Sequence, residues 1–229
     1  LEFRRVLFRS SPIGNLGDIS SRAIETLINC DFIACEDTRV TGKLLSRLEI
    51  QKKLISYREE NEKTKSVQIA LEIEQGKKVA LLSDAGYPCI SDPGFRLVRE
   101  CHTKQLKVIP IPGPNAALTA LAVSGLPTHQ YTYLGFLPKK SAQTRKILDS
   151  WIAYEGSIVL YESKYKVQKT LALIAEIMGE DRFVCLAREL TKSHESIITG
   201  RITEVIDQQS KSSGKGEFTL VIAPQNYSF

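Results

Sequence analysis

The sequence predicts an α/β protein of two lobes, each with a mixed sheet flanked by helices, and a ligand cleft between the lobes. Short apolar runs rich in β-forming residues alternate with segments of helical period, which is typical of stacked βαβ units. The strongest break in this alternation is Ile111-Pro112-Gly113-Pro114, after which the pattern begins again. We therefore predict an N-terminal lobe over residues 11–113 and a C-terminal lobe over residues 114–229.

Helices and strands are predicted to alternate along the N-terminal lobe. Asp18 or Ser20 is placed to cap the first helix, and Gly76 to end the third. Asp92-Pro93 is predicted to open the fourth helix as N-cap and first-turn proline. The predicted elements are, in order, a helix ending at residue 29, a strand over 31–35, a helix over 41–48, a strand over 53–56, a helix over 64–75, a strand over 78–83, a helix ending near 104 and a strand over 106–109.

The C-terminal lobe repeats this alternation after the proline-glycine break. A helix rich in small residues comes first, and two late strands are predicted to flank a short last helix. The predicted elements are a helix over 115–124, a strand over 131–136, a helix over 141–151, a strand over 157–161, a helix over 166–178, a strand over 183–187, a strand over 194–199, a helix over 202–209 and a strand over 216–223.

Composition excludes several classes of protein. The 229 residues are 42% hydrophobic and 25% charged, which is ordinary for a globular protein, and the net charge of +5 allows a polyanionic partner without demanding one. No apolar run approaches the roughly 20 residues that a membrane-spanning helix needs. Five cysteines without a CxxC pair and three scattered histidines predict buried thiols in the reducing cytoplasm, with neither disulfides nor a metal site.

Residues 1–10 fit neither a signal peptide nor a strand. Three arginines interrupt the segment, no long apolar stretch follows, and Phe3, Val6 and Phe8 do not alternate with polar residues to give one apolar face. We therefore predict no strand here, and we interpret the segment as foreign to the natural chain.

Three loops are candidate ligand walls. Residues 12–18 form a glycine-containing turn where a ligand can approach the backbone, although the turn matches neither a P-loop nor GxGxxG. Residues 82–94 leave a buried strand at the end where open α/β sheets bind ligands. In that loop Asp92 is assigned to helix capping, whereas Asp84 is available for ribose hydroxyls or a cation. The third wall is the backbone of Asn115 and Ala116. For the first and third loops, a plain helix-opening turn is the alternative interpretation.

Charged motifs follow other predicted strands. Glu36-Asp37-Thr38-Arg39 forms either a surface salt network or a source of a catalytic base. Tyr161-Glu162-Ser163 and the run from Arg188 to Lys192 are predicted to face the same cleft from the second lobe. Lysine and arginine clusters near residues 139–146 and 164–169 are most simply solvated faces. Because they are interleaved with tyrosine and phenylalanine, they could also bind single-stranded RNA.

Six of these motifs together resemble one family. They lie at residues 12–18, 36–39, 83–94, 111–114, 135–138 and 188–192, and the resemblance extends from residue 12 to residue 223. The family is the ribosomal RNA small-subunit methyltransferase I branch of the tetrapyrrole-methylase-like enzymes. The resemblance implies a two-lobed, usually homodimeric enzyme that binds S-adenosylmethionine between its lobes and methylates the ribose 2′-oxygen of a cytidine in 16S rRNA.

The charged motifs supply candidate catalytic and RNA-contact residues, and the resemblance implies the donor contacts. Candidate proton acceptors, unranked, are Asp84, Glu36 and Glu189, with Lys192 available if its pKa is depressed; no metal is required. Residues predicted to contact RNA are Arg39, Lys139, Lys140, Arg145, Lys164 and Arg188. Residues implied in donor contact are Pro12, Gly14, Gly17, Ser83, Asp84, Ala85, Gly86, Ile90, Gly113, Asn115, Ala116, Tyr161 and Glu162.

Two other functions are compatible with the sequence. The chain departs from the family at Lys164-Tyr165, where Pro-His is usual, and at Tyr87, Cys89 and Asn115. A tetrapyrrole carbon methyltransferase would need a wide apolar cleft, which the lysine clusters disfavour. A non-catalytic RNA- or nucleotide-binding relative would keep the fold without binding the donor.

Overall fold

The computed structural model describes residues 5–212 and 214–228, and the chain divides into two compact units. The first ends at Asn115 and the second begins at Ala116. Within the described residues, no helix is long and apolar enough to cross a membrane.

The first unit contains a five-stranded sheet with helices between successive strands. Its strands are β1 (Arg5–Arg9), β2 (Phe32–Cys35), β3 (Lys53–Ser56), β4 (Lys78–Leu82) and β5 (Lys107–Ile111), and its helices are α1 (Ser21–Asn29), α2 (Thr38–Arg47), α3 (Glu62–Glu74) and α4 (Phe95–Thr103). The strand order is β3-β2-β4-β1-β5, and every pairing between neighbours is parallel. The sheet of this unit is therefore parallel, whereas the sequence predicted a mixed sheet.

The prediction that residues 1–10 form no strand is wrong, because β1 lies inside the sheet. Val6 is fully buried and pairs with Val79 of β4 and Val108 of β5. Strands of a parallel sheet are covered on both faces, so they need no alternation of apolar and polar residues. The missing alternation therefore marked a central strand and not the absence of a strand.

Helix α4 begins differently from the prediction. Its N-cap is Gly94, and Asp92 does not cap it. The capping acceptor comes instead from α3: Glu62 Oε1 accepts hydrogen bonds from the backbone N–H groups of Gly94 and Arg96, each at 3.0 Å. Asp92 therefore does not have the helix-capping role that was predicted for it from the sequence.

The second unit contains a mixed sheet. Its elements are α5 (Ala116–Val123), β6 (Tyr131–Phe136), α6 (Ser141–Ser150), β7 (Ser157–Ser163), α7 (Val167–Met178), β8 (Phe183–Arg188), β9 (Ser196–Arg201), α8 (Ile202–Ser210) and β10 (Glu217–Ile222). The strand order is β6-β7-β10-β8-β9, with β6 parallel to β7 and the other neighbours antiparallel. The predicted α/β fold class is confirmed.

Both faces of β4 are buried, and this directs the loop that follows it. Val79 and Leu81 pack in one apolar cluster, while Ala80 and Leu82 pack in another on the opposite face. Parallel strands point the same way, so the loops after β1, β2, β4 and β5 leave the same edge of the sheet. The candidate motifs of this unit lie on these loops.

Candidate active site

Serine side chains connect the loops after β1, β4 and β5. Ser11 and Gly86 exchange backbone hydrogen bonds of 2.8 and 3.1 Å, and Ser11 Oγ donates to the carbonyl of Ser83 at 2.6 Å. Ser10 Oγ donates to the carbonyl oxygens of Pro114 at 2.6 Å and Gly86 at 3.0 Å. The predicted donor-contact residues Ser83, Gly86 and those near Pro114 are therefore brought together.

The glycine turn after β1 leaves backbone accessible. Gly14 and Gly17 are exposed, and the N–H of Gly17 donates to Asn15 Oδ1 at 2.9 Å. Ile13 is buried, and a Cβ added to Gly86 would meet Ile13 Cγ2 at 3.5 Å. Of the remaining predicted contact positions on unit 1, Pro12 and Asn115 are half-buried, whereas Ala85, Ile90 and Gly113 are exposed.

The loop after β4 has a backbone conformation that residues other than glycine rarely adopt. Gly86, Cys89, Ser91 and Gly94 have φ angles of 72°, 68°, 63° and 147°. A Cβ at Gly94 would lie 2.6 Å from Cys89 Sγ, so only glycine fits there. Strain of this kind in non-glycine residues is found most often at functional sites.

One cavity in this unit has a strongly acidic wall, with seven Asp and Glu residues among those that line it. The cavity measures about 530 Å³, and its wall includes Glu36, Asp84 and Asp92 together with Arg39 and Arg58. The predicted acids Glu36 and Asp84 are therefore brought together, and Asp92 joins them. Among the residues that the structure describes, no group of three His, Cys, Asp or Glu side chains is arranged to hold a metal ion.

Three carboxyl groups of the cavity, those of Glu36, Asp84 and Asp92, have raised pKa values. Burial, then the charges of Glu36 and Asp84, raise the pKa of Asp92 to about 7. Burial, then the charge of Asp84, raises the pKa of Glu36, and burial likewise raises the pKa of Asp84 although its Oδ1 accepts the N–H of Asp37 at 3.0 Å. Because the three groups interact, their titrations are coupled.

Two arginines approach this cavity, and only one was singled out from the sequence. Arg39 donates to both carboxylate oxygens of Asp37, at 3.0 and 2.6 Å, which fits the salt-network interpretation of this motif. Arg58 Nε donates to the carbonyl of Glu36 at 3.0 Å. Arg58 follows β3 in an exposed polar stretch, where no spacing signal distinguishes it from a solvated residue.

In the second unit, Tyr161 and Glu162 have different environments. Tyr161 OH accepts the N–H of Ala117 at 3.2 Å, and its ring makes edge contacts with Tyr133 and Phe136 at 5.2 and 5.6 Å. Glu162 is 2% exposed, accepts from Thr170 Oγ1 at 2.7 Å and lies 3.4 Å from Lys166 Nζ. Its carboxylate is satisfied inside the unit, which indicates a structural role. Ala116, the first residue of α5, is half-buried.

Glu189 and Lys192 are bound to one another at the end of β8. Lys192 Nζ lies 3.1 Å from Glu189 Oε1 and 2.7 Å from Glu217 Oε2. Burial works to lower the pKa of Lys192, but the carboxylates of Glu217 and Glu189 raise it above its usual value. The condition on which Lys192 was a candidate base, a depressed pKa, is therefore not met.

Most of the residues predicted to contact RNA are exposed, Arg188 is half-buried, and Lys164 adjoins an aromatic ring. Lys139, Lys140 and Lys164 are exposed, and Lys164 Nζ lies 4.9 Å from the ring centroid of Tyr165. Tyr165 is 84% exposed and Phe136 58% exposed, which is unusual for large apolar side chains. Arg145, by contrast, is paired with Glu176 through two hydrogen bonds of 2.6 and 2.7 Å.

The fold and these sites match a known family. The family model described as Tetrapyrrole (Corrin/Porphyrin) Methylases matches residues 8–206, and the chain belongs to this family of methyltransferases. Among solved structures, diphthine synthase superimposes with a TM-score of 0.73 at 14% identity, covering 96% of this chain and 90% of the other. A cobalt precorrin-4 methyltransferase superimposes with a TM-score of 0.68 at 14% identity, covering 97% and 95%. At such identity these two similarities show the fold alone.

Relatives of higher sequence identity indicate a particular branch of this family. A protein of Halalkalibacterium halodurans is 43% identical over 213 residues, which are 93% of this chain and 73% of the relative. A protein of Thermotoga maritima is 42% identical over 219 residues, which are 96% of this chain and 98% of the relative. Both are named ribosomal RNA small subunit methyltransferase I, so the resemblance seen in the motifs is confirmed.

Proposed function

We propose that this methyltransferase moves a methyl group from S-adenosylmethionine to the ribose 2′-oxygen of a cytidine in 16S rRNA. The observation that carries the proposal is the cavity of Glu36, Asp84 and Asp92 on the loops that contain the family motifs. The relatives' shared name supports the choice of acceptor. The family resemblance further implies a homodimer, and the unpaired cysteines favour a reducing compartment such as the cytoplasm.

The chemistry of the first unit suits this donor. S-adenosylmethionine carries a ribose diol and positive charge, and Asp84 and Glu36 supply carboxylate oxygens that accept hydrogen bonds and attract cations. The exposed backbone of Gly14 and Gly17 admits close approach of a ligand. When bound, the donor supplies an electrophilic methyl group. In this proposal the loops after β1 and β4 hold it.

The protein's part in the reaction is to align the acceptor oxygen and take its proton. A ribose hydroxyl is a weak nucleophile at neutral pH, and a positioned base contributes typically about 10²–10⁴-fold. A base works best when its pKa lies near the operating pH, which favours Asp92, whose pKa is raised to about 7, and the pKa values of Glu36 and Asp84 are shifted in the same direction. Glu189 fits less well: burial works to raise the pKa of its carboxyl, but the N–H of Glu217 and the Lys192 ammonium lower it overall.

The exposed aromatic and basic residues of the second unit are proposed to contact RNA. Phe136 and Tyr165 offer ring faces for unstacked bases, and Lys139, Lys140 and Lys164 offer charge for phosphates. This pairing of stacking and charge is typical of single-stranded RNA recognition.

The test is transfer of labelled methyl from S-adenosylmethionine to small ribosomal subunits that lack the modification, with the labelled nucleotide mapped. Label on one ribose 2′-oxygen is the expected result. Transfer to no RNA while the donor binds would point to another acceptor, such as a tetrapyrrole. Absence of donor binding in calorimetry would contradict the enzyme assignment and favour a binding-only relative.

A further inference from the structure

A second cavity lies within the C-terminal unit, beside the end of β8. It measures about 340 Å³ and is lined by Arg188, Glu189, His194, Lys215 and Gly216. The volume is at the small end of the range for ligand pockets. The residues come from three places in the chain: the end of β8, the turn before β9 and the segment before β10.

The charge of this cavity favours an anion. Arg188 and Lys215 bring two positive charges and His194 brings an imidazole, against the single carboxylate of Glu189. That carboxylate is already used, because its Oε1 accepts the N–H of Glu217 at 2.8 Å and the Lys192 ammonium at 3.1 Å. Two cationic side chains therefore line this wall against one carboxylate, and that carboxylate shares the Lys192 ammonium with Glu217.

The backbone fixes the wall of the cavity. Gly216 has a φ of +118°, and a Cβ there would lie 2.7 Å from Glu189 Cγ, so only glycine lets the strand pass this close. Arg188 Nε donates to the carbonyl of Lys215 at 2.7 Å, which ties the guanidinium to the facing segment. A guanidinium has five N–H donors in a fixed fork, so the anchored Arg188 keeps further donors for a ligand.

We propose that this cavity is a phosphate-binding subsite, which holds a backbone phosphodiester of the RNA acceptor. An arginine fork with a nearby lysine matches the geometry and charge of a phosphate group. The proposal that the bound phosphate belongs to RNA rests on the proposed function. Free inorganic phosphate or a nucleotide would present the same chemistry, so the experiment separates the sources.

The experiment uses two single-site variants of the whole chain, Lys215→Met and His194→Gln. Each variant keeps the backbone carbonyl that anchors Arg188. Lys211→Met is the matched control, because Lys211 is exposed and paired with Asp207 outside the cavity. RNA affinity is measured as a function of salt, and the affinity for S-adenosylmethionine is measured as a check on folding. Inorganic phosphate binding is titrated separately.

We expect Lys215→Met to weaken RNA binding severalfold and to reduce the slope of log affinity against log salt by about 0.7, the value for one lost phosphate contact on a single strand. His194→Gln is expected to weaken RNA binding less. Donor affinity and kcat should not change, while KM for RNA rises. Lys211→Met should change none of these quantities.

The outcomes distinguish this proposal from the proposed function. If both cavity variants bind RNA and inorganic phosphate as the control does, the phosphate subsite is refuted even where the wild type methylates RNA. The wild type could transfer no methyl to RNA while Lys215→Met still binds inorganic phosphate more weakly than the wild type does. In that case the subsite stands and serves free phosphate or a nucleotide. Loss of RNA affinity together with loss of phosphate binding supports the RNA source.

Discussion

Asp84, Asp92 and Glu36 line one cavity, in which Glu36 and Asp84 make Asp92 harder to ionise and Asp84 does the same to Glu36. A buried carboxylate loses hydration, and a second negative charge nearby adds repulsion, so protons stay bound to higher pH. The effect is largest at Asp92, whose pKa rises to about 7. The same electrostatics that suit a general base therefore weaken the folded state at alkaline pH.

Asp84→Asn is expected to reduce kcat for methyl transfer by about 10²-fold or more while the fold is kept, because the amide cannot accept a proton. The amide oxygen can still accept the N–H of Asp37, which bonds Asp84 Oδ1 at 3.0 Å in the wild type. The measurement is single-turnover transfer with donor affinity determined in parallel. Asp149→Asn, an exposed acid of the second unit, is the control. Unchanged turnover in Asp84→Asn would remove this residue from the list of proton acceptors.

Asp92→Asn is expected to make unfolding less dependent on pH. The pKa of Asp92 is raised from its ordinary 3.8 to about 7, so the folded state binds a proton that the unfolded state has lost between those values. Wild-type stability therefore falls as pH rises through this window and is lowest above it. The asparagine variant should gain stability relative to wild type at pH 8 but not at pH 4. Thermal unfolding at both pH values tests this, and an equal difference at the two would contradict it.

At the scale of single elements, α4 depends on a residue that lies far from it in the chain. Glu62 is 8% exposed, and its carboxylate accepts two backbone N–H groups at the start of α4 as well as the hydroxyl of Tyr57 at 3.1 Å. Helix N-termini leave four N–H groups without partners, and here a carboxylate from α3 supplies the acceptor. The strained loop after β4 is thereby anchored at its far end.

Glu62→Ala is expected to destabilise the protein by about 2–3 kcal/mol, because it leaves buried donors without an acceptor. Glu60→Ala, an exposed neighbour, should cost much less. Urea unfolding measures the difference, and hydrogen exchange at Gly94 and Arg96 should accelerate in Glu62→Ala alone. Equal stability of the two variants would show that the Glu62 contacts contribute little.

Local patterns predicted most elements, and the failures have physical causes. Lys53–Ser56 and Tyr131–Phe136 have the predicted bounds, because turn residues bracket a short β-rich run. The capping role of Asp92 failed because Glu62 competes for the same N–H groups, and no short spacing encodes a contact between residues 32 positions apart. The same limit applies to the site. Asp84 and Glu36 were predicted as site residues because they follow strands, whereas the structure was needed to place Arg58 and Asp92 in the same cavity.

For the whole molecule, each unit has its own apolar core. Val6 and Leu97 belong to a core of the first unit, while Leu160 and Leu186 belong to that of the second. The single tryptophan, Trp151, packs against the second core and makes an edge contact with Tyr154 at 5.0 Å. Its fluorescence therefore reports on the second unit.

Val6→Asp is expected to unfold the first unit and leave the environment of Trp151 folded. The substitution places a carboxylate at a fully buried position of the strand between β4 and β5, which costs more than about 4 kcal/mol. Far-UV circular dichroism should lose part of its signal while tryptophan fluorescence keeps a cooperative transition. Val67→Asp, at a valine of α3 that is 45% exposed, is the control and should leave both signals near wild type. If Val6→Asp keeps the full dichroism signal, β1 does not have the central place in the sheet that its two pairings give it; if fluorescence collapses as well, the second unit depends on the first for its stability.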